Sequence, residues 1–252
     1  GMIGAGAVAK AAPDGYTLLL GSAGETAINT FVYKNKMQYN PAKDLAPITL
    51  VTRIPNVLVA SPTLPVKNIE ELVAYGKKNP GKLAYSTSGV GNPQHLNGEL
   101  LEELAGIHMV HIPYKGTALA MPDLISGKVD VLFDSLPTGL PHVKDGRLRA
   151  LGVTSAQRTN MAPGLPAISE VLPGYESTTW FGLFGPQGMR PDLVSRVNTA
   201  AIQALSDPEV KDKLQRLGIE AIGTSPAQFT TMLAAESAKW KKIITERKIT
   251  LD

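Results

Sequence analysis

The feature that most constrains the fold is a regular alternation of short apolar runs with longer segments of helical pattern. The runs at 18–20, 82–87 and 129–133 have the length of buried strands. Helical patterns follow such runs at 93–104 and 117–126. Strands that alternate with helices predict an α/β fold with largely parallel sheets.

Length and composition narrow the class of protein further. A chain of 252 residues suits one large domain or two small lobes, and 43% apolar residues suffice for a full core. The formal net charge of +3 is not gathered on one basic face, which argues against nucleic acid as a partner. The absence of cysteine excludes thiol catalysis and disulfides. Since no run of eighteen apolar residues occurs, we expect no membrane-spanning helix.

Polar residues directly follow several of the predicted strands. Ser22 follows the first run, the segment 86–92 follows the run at 82–87, and Asp134 follows 129–133. In open α/β sheets, ligands bind outside the carboxyl ends of the strands. These positions are therefore the first candidates for a ligand site.

The segment 86–92 carries the strongest local signal. Its hydroxyls come from Ser86, Thr87 and Ser88, and its glycines, Gly89 and Gly91, permit close approach of the backbone to a ligand. Asn92 suits the N-cap of the next helix, where free N–H groups and the helix dipole favour an anion. The same residues also suit an ordinary, well-capped turn between strand and helix, and the pattern leaves both interpretations open.

Three other motifs favour plainer interpretations. Gly4, Gly6 and Ala9 match a dinucleotide-binding pattern, but no strand precedes them, and helix packing through small residues explains them better. His108 and His111 are three apart on a predicted strand, so their side chains point to opposite faces and do not indicate a metal site. No nucleophile elbow is present to support a hydrolase.

Several collinear segments together resemble the Bug family of periplasmic solute-binding receptors, also called the tripartite tricarboxylate transporter receptor family. The segments are 11–19 (AAPDGYTLL), 85–96 (YSTSGVGNPQHL), 111–116 (HIPYKG), 130–134 (DVLFD), 146–155 (GRLRALGVTS), 173–175 (PGY) and 180–186 (WFGLFGP). Each motif is modest by itself, but their order is specific. The similarity runs from about residue 3 to the end of the chain.

The resemblance implies a two-lobed periplasmic binding protein fold of type II, with residues 1–62 and 178–252 in the first lobe and 63–177 in the second. It implies capture of a small carboxylate, such as a di- or tricarboxylate, an amino acid or an aromatic acid, by lobe closure. It also implies delivery to the permease subunits of a secondary transporter in the membrane. The ligand-binding residues carried over by position are Ser22, Ser86, Ser88, Gly89, Gly91, Asn92, His95 and Asp134.

The sequence departs from the family at its beginning. Members open with a strand, a loop and a helix before the segment that here starts near residue 3, so we expect the first strand-helix unit to be missing, along with any signal peptide. A ligand-sensing effector domain of a regulatory protein shares the fold and is the main alternative function. The expectation from sequence is a periplasmic, non-enzymatic receptor that uses no cofactor and no metal.

Overall fold

Strands and helices alternate along most of the computed structural model, which describes residues 1–33 and 36–249. The strands are β1 (Leu19–Ser22), β2 (Leu45–Ala60), β3 (Leu83–Thr87), β4 (Met109–Pro113), β5 (Val131–Ser135), β6 (Arg149–Val153), β7 (Thr178–Pro186) and β8 (Glu220–Ala221). The helices are α1 (Met2–Ala9), α2 (Asn29–Val32), α3 (Pro41–Asp44), α4 (Ile69–Lys78), α5 (Pro93–Ala105), α6 (Thr117–Ser126), α7 (Leu136–Lys144), α8 (Pro191–Ser206), α9 (Pro208–Arg216) and α10 (Pro226–Glu246). A π-helical turn lies at Gly24–Ile28 and a 3₁₀ turn at Ile168–Glu170. Within the described ranges, no helix has both the length and the apolar character needed to cross a membrane.

The chain divides into two compact units. Unit 1 contains residues 1–53 and 179–252, and unit 2 contains residues 54–178. The family resemblance implied a first crossing at 62/63, nine residues later than 53/54, and a second at 177/178, one residue before 178/179. The first difference arises because β2 is one continuous strand whose first part belongs to unit 1 and whose last part belongs to unit 2.

Unit 1 is built on a sheet in which β7 pairs with β1 and with β2. The last helix, α10, covers this sheet through Phe229, which is fully buried. The Phe229 ring meets Trp180 edge-on at 5.9 Å between centroids and Phe184 at 5.1 Å. Trp240 and Ile243 of the same helix are buried with Phe229.

Unit 2 holds a mixed sheet in the order β2–β5–β3–β4, with β6 also paired to β2. The α/β class is confirmed, but the expectation of largely parallel sheets is wrong. The pairs of β3 with β4 and with β5 are parallel, whereas the pairs of β2 with β5, β6 and β8 and of β1 with β7 are antiparallel. Asn56 lies opposite Ser135, so the chain enters this unit at the edge where β5 ends, and β2 must run against its neighbour.

The parallel part of the sheet determines where the candidate ligand residues lie. Ser86 pairs with Ile112 of β4 and with Leu132 of β5. The three strands therefore end at one edge of the sheet, and the segment after β3 lies beside Asp134 at the end of β5. Below this edge, Leu132 packs with Val57 and Val153 in the core of the unit.

The sequence does not predict the full length of β2 or the helix α7, because both contain residues that are unusual inside such elements. The apolar pattern predicts a strand only over 56–60, whereas β2 begins at Leu45 and contains Pro47 and Pro55. Helix α7 contains Pro141 and Gly139. A Cβ at Gly139 would lie 2.8 Å from Cγ1 of Val57, so this glycine lets α7 approach β2 closely.

The short run 2–9 forms helix α1, with Gly4 and Gly6 inside it. The segment is therefore a helix, as the packing interpretation requires, but of the two glycines only Gly6 packs closely, since a Cβ there would lie 3.5 Å from Cδ1 of Tyr39. Gly4 faces open space, since a Cβ built there meets no atom within 4 Å. By contrast, Gly98 of α5 lies against the ring of Tyr85 on β3, which is fully buried.

We expect Gly98→Ala to destabilise the protein, because the added methyl group would lie 2.7 Å from Cδ2 of Tyr85 and overlap the ring. Overpacking of this kind costs about 1–3 kcal/mol. Gly4→Ala is the matched control, since it replaces a helical glycine in open space and should stabilise by up to about 1 kcal/mol. Urea denaturation of both variants measures the difference, and equal free energies of unfolding would show that Gly98 is not needed for packing.

Candidate functional site

The segment Ser86–Asn92, here called the glycine loop, connects the end of β3 to the start of α5. Gly89 and Gly91 have φ angles of +146° and +75°, a region that glycine enters far more readily than other residues. Asn92 caps α5, because its Oδ1 accepts a 2.9 Å hydrogen bond from the His95 amide. The local sequence therefore fixes both the bend of the loop and the start of the helix.

Several hydrogen-bond donors of the glycine loop are already bonded within the chain. The amides of Ser88, Gly89 and Gly91 donate to Gln94 Oε1 (2.7 Å), Thr87 Oγ1 (3.2 Å) and His95 Nδ1 (3.0 Å), respectively. The amides of Val90 and Asn92 have no acceptor among the described residues. The Ser88 hydroxyl accepts from Asn92 Nδ2 at 2.6 Å, which leaves its own proton for another acceptor. The loop thus offers three donors to a ligand, fewer than its sequence suggests.

His95 connects the loop to the interior of unit 2. Because its Nδ1 accepts from the Gly91 amide, the ring proton is on Nε2, which lies 3.3 Å from Glu99 Oε1. The same Glu99 oxygen accepts a 2.9 Å hydrogen bond from the Tyr85 hydroxyl. His95 and Tyr85 are almost completely buried. The conformation of Gly91 is therefore held by a chain of buried polar contacts.

His111 of β4 completes this cluster from the neighbouring strand. Its ring stacks on His95 with 3.9 Å between centroids and lies 5.0 Å from the Tyr85 ring. Its Nε2 is 2.7 Å from Thr87 Oγ1, whose hydroxyl donates to the carbonyl of Gly89. Burial, reinforced by His95, lowers the pKa of His111 to about 4, against a smaller opposing effect of Glu99. His111 is therefore neutral near pH 7.

The structure places the remaining predicted residues in different surroundings. Ser86 is fully buried, so its hydroxyl lies beneath the loop surface. Asp134 is also buried, at the neighbouring strand end, and its Oδ1 accepts from the Ser135 amide at 2.9 Å. Both residues belong to unit 2, with the glycine loop and His95. Ser22 belongs to unit 1, where its amide and hydroxyl both donate to the Glu25 carboxylate at 2.7 Å.

Sequence reasoning missed the partners that shape the loop. His111 is sixteen residues from His95, and only the pairing of Tyr85 with His111 across β3 and β4 brings the rings together. Gln94 and Glu99 lie on the helix that follows the loop. The four-residue spacing of His95 and Glu99, which places them on one face of the helix, was the available signal. His108 instead lies 3.1 Å from Glu102 and is largely exposed. No group of three or more His, Cys, Asp or Glu residues in the described part of the chain is arranged to hold a metal ion.

Comparison with solved structures identifies the class of protein that this fold defines. The chain is similar over its full length to Rpa4515 of R. palustris, solved with adipate, with 36% identity and a TM-score of 0.81. It is similar over 99% of its length to the periplasmic binding protein BugD, with 31% identity and a TM-score of 0.76. It is similar over 96% of its length to MatC of Rhodopseudomonas palustris, solved with bound malate, with 28% identity and a TM-score of 0.75. In each case it covers 84% of the other chain. The fold is that of a periplasmic solute-binding protein.

The family is identified by a match that extends over almost the whole sequence. Residues 1–249 match the model described as the tripartite tricarboxylate transporter family receptor. The chain belongs to this family, which is a family of solute-binding receptors and not of enzymes. The resemblance stated from the collinear motifs is thereby confirmed.

We expect the stability of the protein to fall between pH 6.5 and pH 4 partly because of His111. Its pKa is about 4 in the folded chain and near 6.5 when unfolded, so the unfolded state binds more protons in this window. Stability is therefore lost as the pH falls, with a slope of at most about 1.4 kcal/mol per pH unit. His111→Gln keeps a donor for Thr87 but does not titrate. Urea denaturation from pH 7 to pH 4 should show a weaker pH dependence in this variant, and equal slopes would contradict the assignment.

Proposed function

We propose that the protein is an extracytoplasmic solute-binding receptor that captures a small carboxylate and delivers it to a transporter in the membrane. The observation that carries the proposal is the set of donors left free at the glycine loop, the amides of Val90 and Asn92 and the hydroxyl of Ser88. They lie at the start of α5, where the helix dipole favours negative charge. A carboxylate needs such donors and no reacting group.

The ligands of the solved relatives support this choice of ligand class. Rpa4515 was solved with adipate and MatC with malate, and both of these ligands are dicarboxylates. For the present chain we propose a dicarboxylate as the first ligand to test. Its first carboxylate would accept from the glycine loop. Ser86, Gly89 and Gly91 would shape that loop, and His95 would support it through Gly91.

Ser22 and Asp134 complete the proposed set of ligand residues, but the surroundings of each limit the kind of ligand group that it can contact. The Ser22 hydroxyl donates to Glu25, and Asp134 is itself an acid, so neither favours direct contact with a ligand carboxylate. We propose that they act on uncharged or cationic parts of the ligand. Backbone N–H groups can donate to almost any carboxylate, so they do not select among ligands. Contacts of Ser22 and Asp134 would therefore distinguish one carboxylate from another.

Capture by closure of two lobes is part of the same proposal. The chain passes between units 1 and 2 twice, at 53/54 and at 178/179, and such double crossings are suited to a hinge. Closure would exclude water and strengthen the hydrogen bonds to the ligand. Because the chain belongs to this family, we also propose that it acts in the periplasm and that its partner is a membrane permease. No chemical step is proposed.

We expect adipate to stabilise the protein against thermal unfolding, by about 2.7 kcal/mol at a hundredfold excess over the Kd. Ser88→Ala should weaken binding of adipate roughly tenfold or more, because a hydrogen bond to a charged group is lost. Ser206→Ala, which removes an exposed hydroxyl from α8 in unit 1, is the matched control and should bind normally. Isothermal titration calorimetry measures the affinities.

Two outcomes would contradict the proposed function. One is the lack of stabilisation by adipate, malate and other dicarboxylates of four to six carbons. The other is conversion of a bound ligand, which would indicate an enzyme and is detected by NMR of the ligand after incubation. Equal binding of adipate by Ser88→Ala and Ser206→Ala would leave the receptor function in place and reject the glycine loop as its carboxylate site.

A further inference from the structure

A second feature of unit 2 is a groove between helices α6 and α7, here called the helix groove. Its volume is about 1010 Å³, at the upper end of the range for small-molecule sites. Met121 and Ile125 of α6 give it an apolar wall, and His142 of α7 and Asp134 of β5 also line it. The two apolar side chains pack on the core of the unit, so the wall is anchored.

The side chain of Asp134 is a buried carboxyl group that lines the helix groove and has one oxygen without a hydrogen-bond partner among the described residues. Only 4% of the residue is exposed. Its Oδ1 is bonded to the Ser135 amide, but its Oδ2 is buried and has no hydrogen-bond partner among residues 1–33 and 36–249. Burial raises the pKa of the Asp134 carboxyl, although the Thr138 hydroxyl, the Ser135 amide and His142 act in the opposite direction. Burial of this carboxylate without a partner lowers the free energy of unfolding of the protein. A bound cation would offset this loss of stability.

The permanently charged side chain of the groove lining, Arg147, does not supply that cation. Arg147 donates to Asp145 Oδ2 at 3.0 Å, so its charge is already matched. His142 is the remaining titratable side chain of the lining, and its Nδ1 is buried without a partner in the described part of the chain. When the ring proton is on Nε2, that nitrogen accepts a hydrogen bond. The groove thus presents two buried acceptors, one of them a carboxylate, next to an apolar wall.

We propose that the helix groove binds a small organic amine whose ammonium group donates to Asp134 Oδ2 and whose apolar body lies along Met121 and Ile125. The Nδ1 atom of His142 accepts a second hydrogen bond from the same molecule. A carboxylate is disfavoured at this position because it would face Asp134 with a like charge. The inference deepens the proposed function and rests on it in one respect, because Asp134 is already assigned there to uncharged or cationic parts of the ligand. It adds the helix groove as the place where a cation binds, whereas the donors of the glycine loop take an anion.

Hexylamine, which is protonated at pH 7.5, is a suitable probe, and hexanoate is its control of opposite charge. The readout is the NMR signal of the Met121 methyl group, assigned with Met121→Leu. We expect hexylammonium to shift this signal in a saturable manner and hexanoate to leave it unchanged. Equal shifts by both compounds would overturn the proposal, as would a shift that does not saturate. This comparison uses the unaltered protein and so does not depend on the folding of any variant.

The role of the charge is tested with Asp134→Asn, which keeps the shape of the side chain. We expect the affinity for hexylammonium to fall about tenfold or more. Glu70→Gln removes an exposed carboxylate from α4 in the same unit and should change the affinity less than twofold. An unchanged affinity in Asp134→Asn would overturn the assignment.

The two proposed sites share Asp134, but the Ser88 variant distinguishes them. Ser88→Ala should lose adipate and keep hexylammonium, because the Ser88 hydroxyl does not line the helix groove. Loss of hexylammonium binding in Ser88→Ala would show that the amine occupies the glycine loop and would reject the groove. Failure of adipate to bind the unaltered protein contradicts the proposed function but leaves the result with hexylammonium intact.

Discussion

The parallel pairing of β3 with β4 and β5 is the constraint on which the rest of unit 2 depends. It sets Tyr85 opposite His111 on one side and opposite Val131 on the other. This register brings the glycine loop, the His111 ring and Asp134 to one edge of the sheet. A slip by one residue would turn every side chain to the opposite face and separate these groups. The relative positions of the proposed ligand residues in this unit are thus fixed by backbone pairing in the core.

The same register creates a buried polar cluster that stiffens the glycine loop. His95, Glu99 and Tyr85 are linked by hydrogen bonds, and His111 closes the stack from the neighbouring strand. Buried polar groups are costly unless each one is paired, and here each pairing also fixes a neighbour. Because Gly91 donates to His95, the position of a flexible glycine is set by rings that cannot move without disturbing the core. The loop is thereby prepared for a ligand before one arrives.

The sequence predicts local features well and long-range ones poorly, for a physical reason. The cap at Asn92, the helix 93–105 and the loop glycines follow from neighbouring residues, so they are predictable. The direction of β2 is set by where the chain enters unit 2, which no local pattern records, and the expectation of parallel sheets failed there. The stacking of His95 on His111 depends on strand pairing and was missed, although both residues were considered. The collinear family motifs predicted the fold class because they carry the topology that periodicity lacks.

Most of the donors that the glycine loop could offer to a ligand are bonded within the chain. A backbone amide without an acceptor is costly wherever water cannot reach it, and the chain limits the number of such amides by bonding Ser88 to Gln94 and Gly91 to His95. A ligand that takes these donors must first displace an acceptor of the protein, so it gains only the difference between two hydrogen bonds. Under the proposed function, such an exchange would lower affinity and ease release of the ligand. The donors that remain free, at Ser88, Val90 and Asn92, would then supply the net gain of binding.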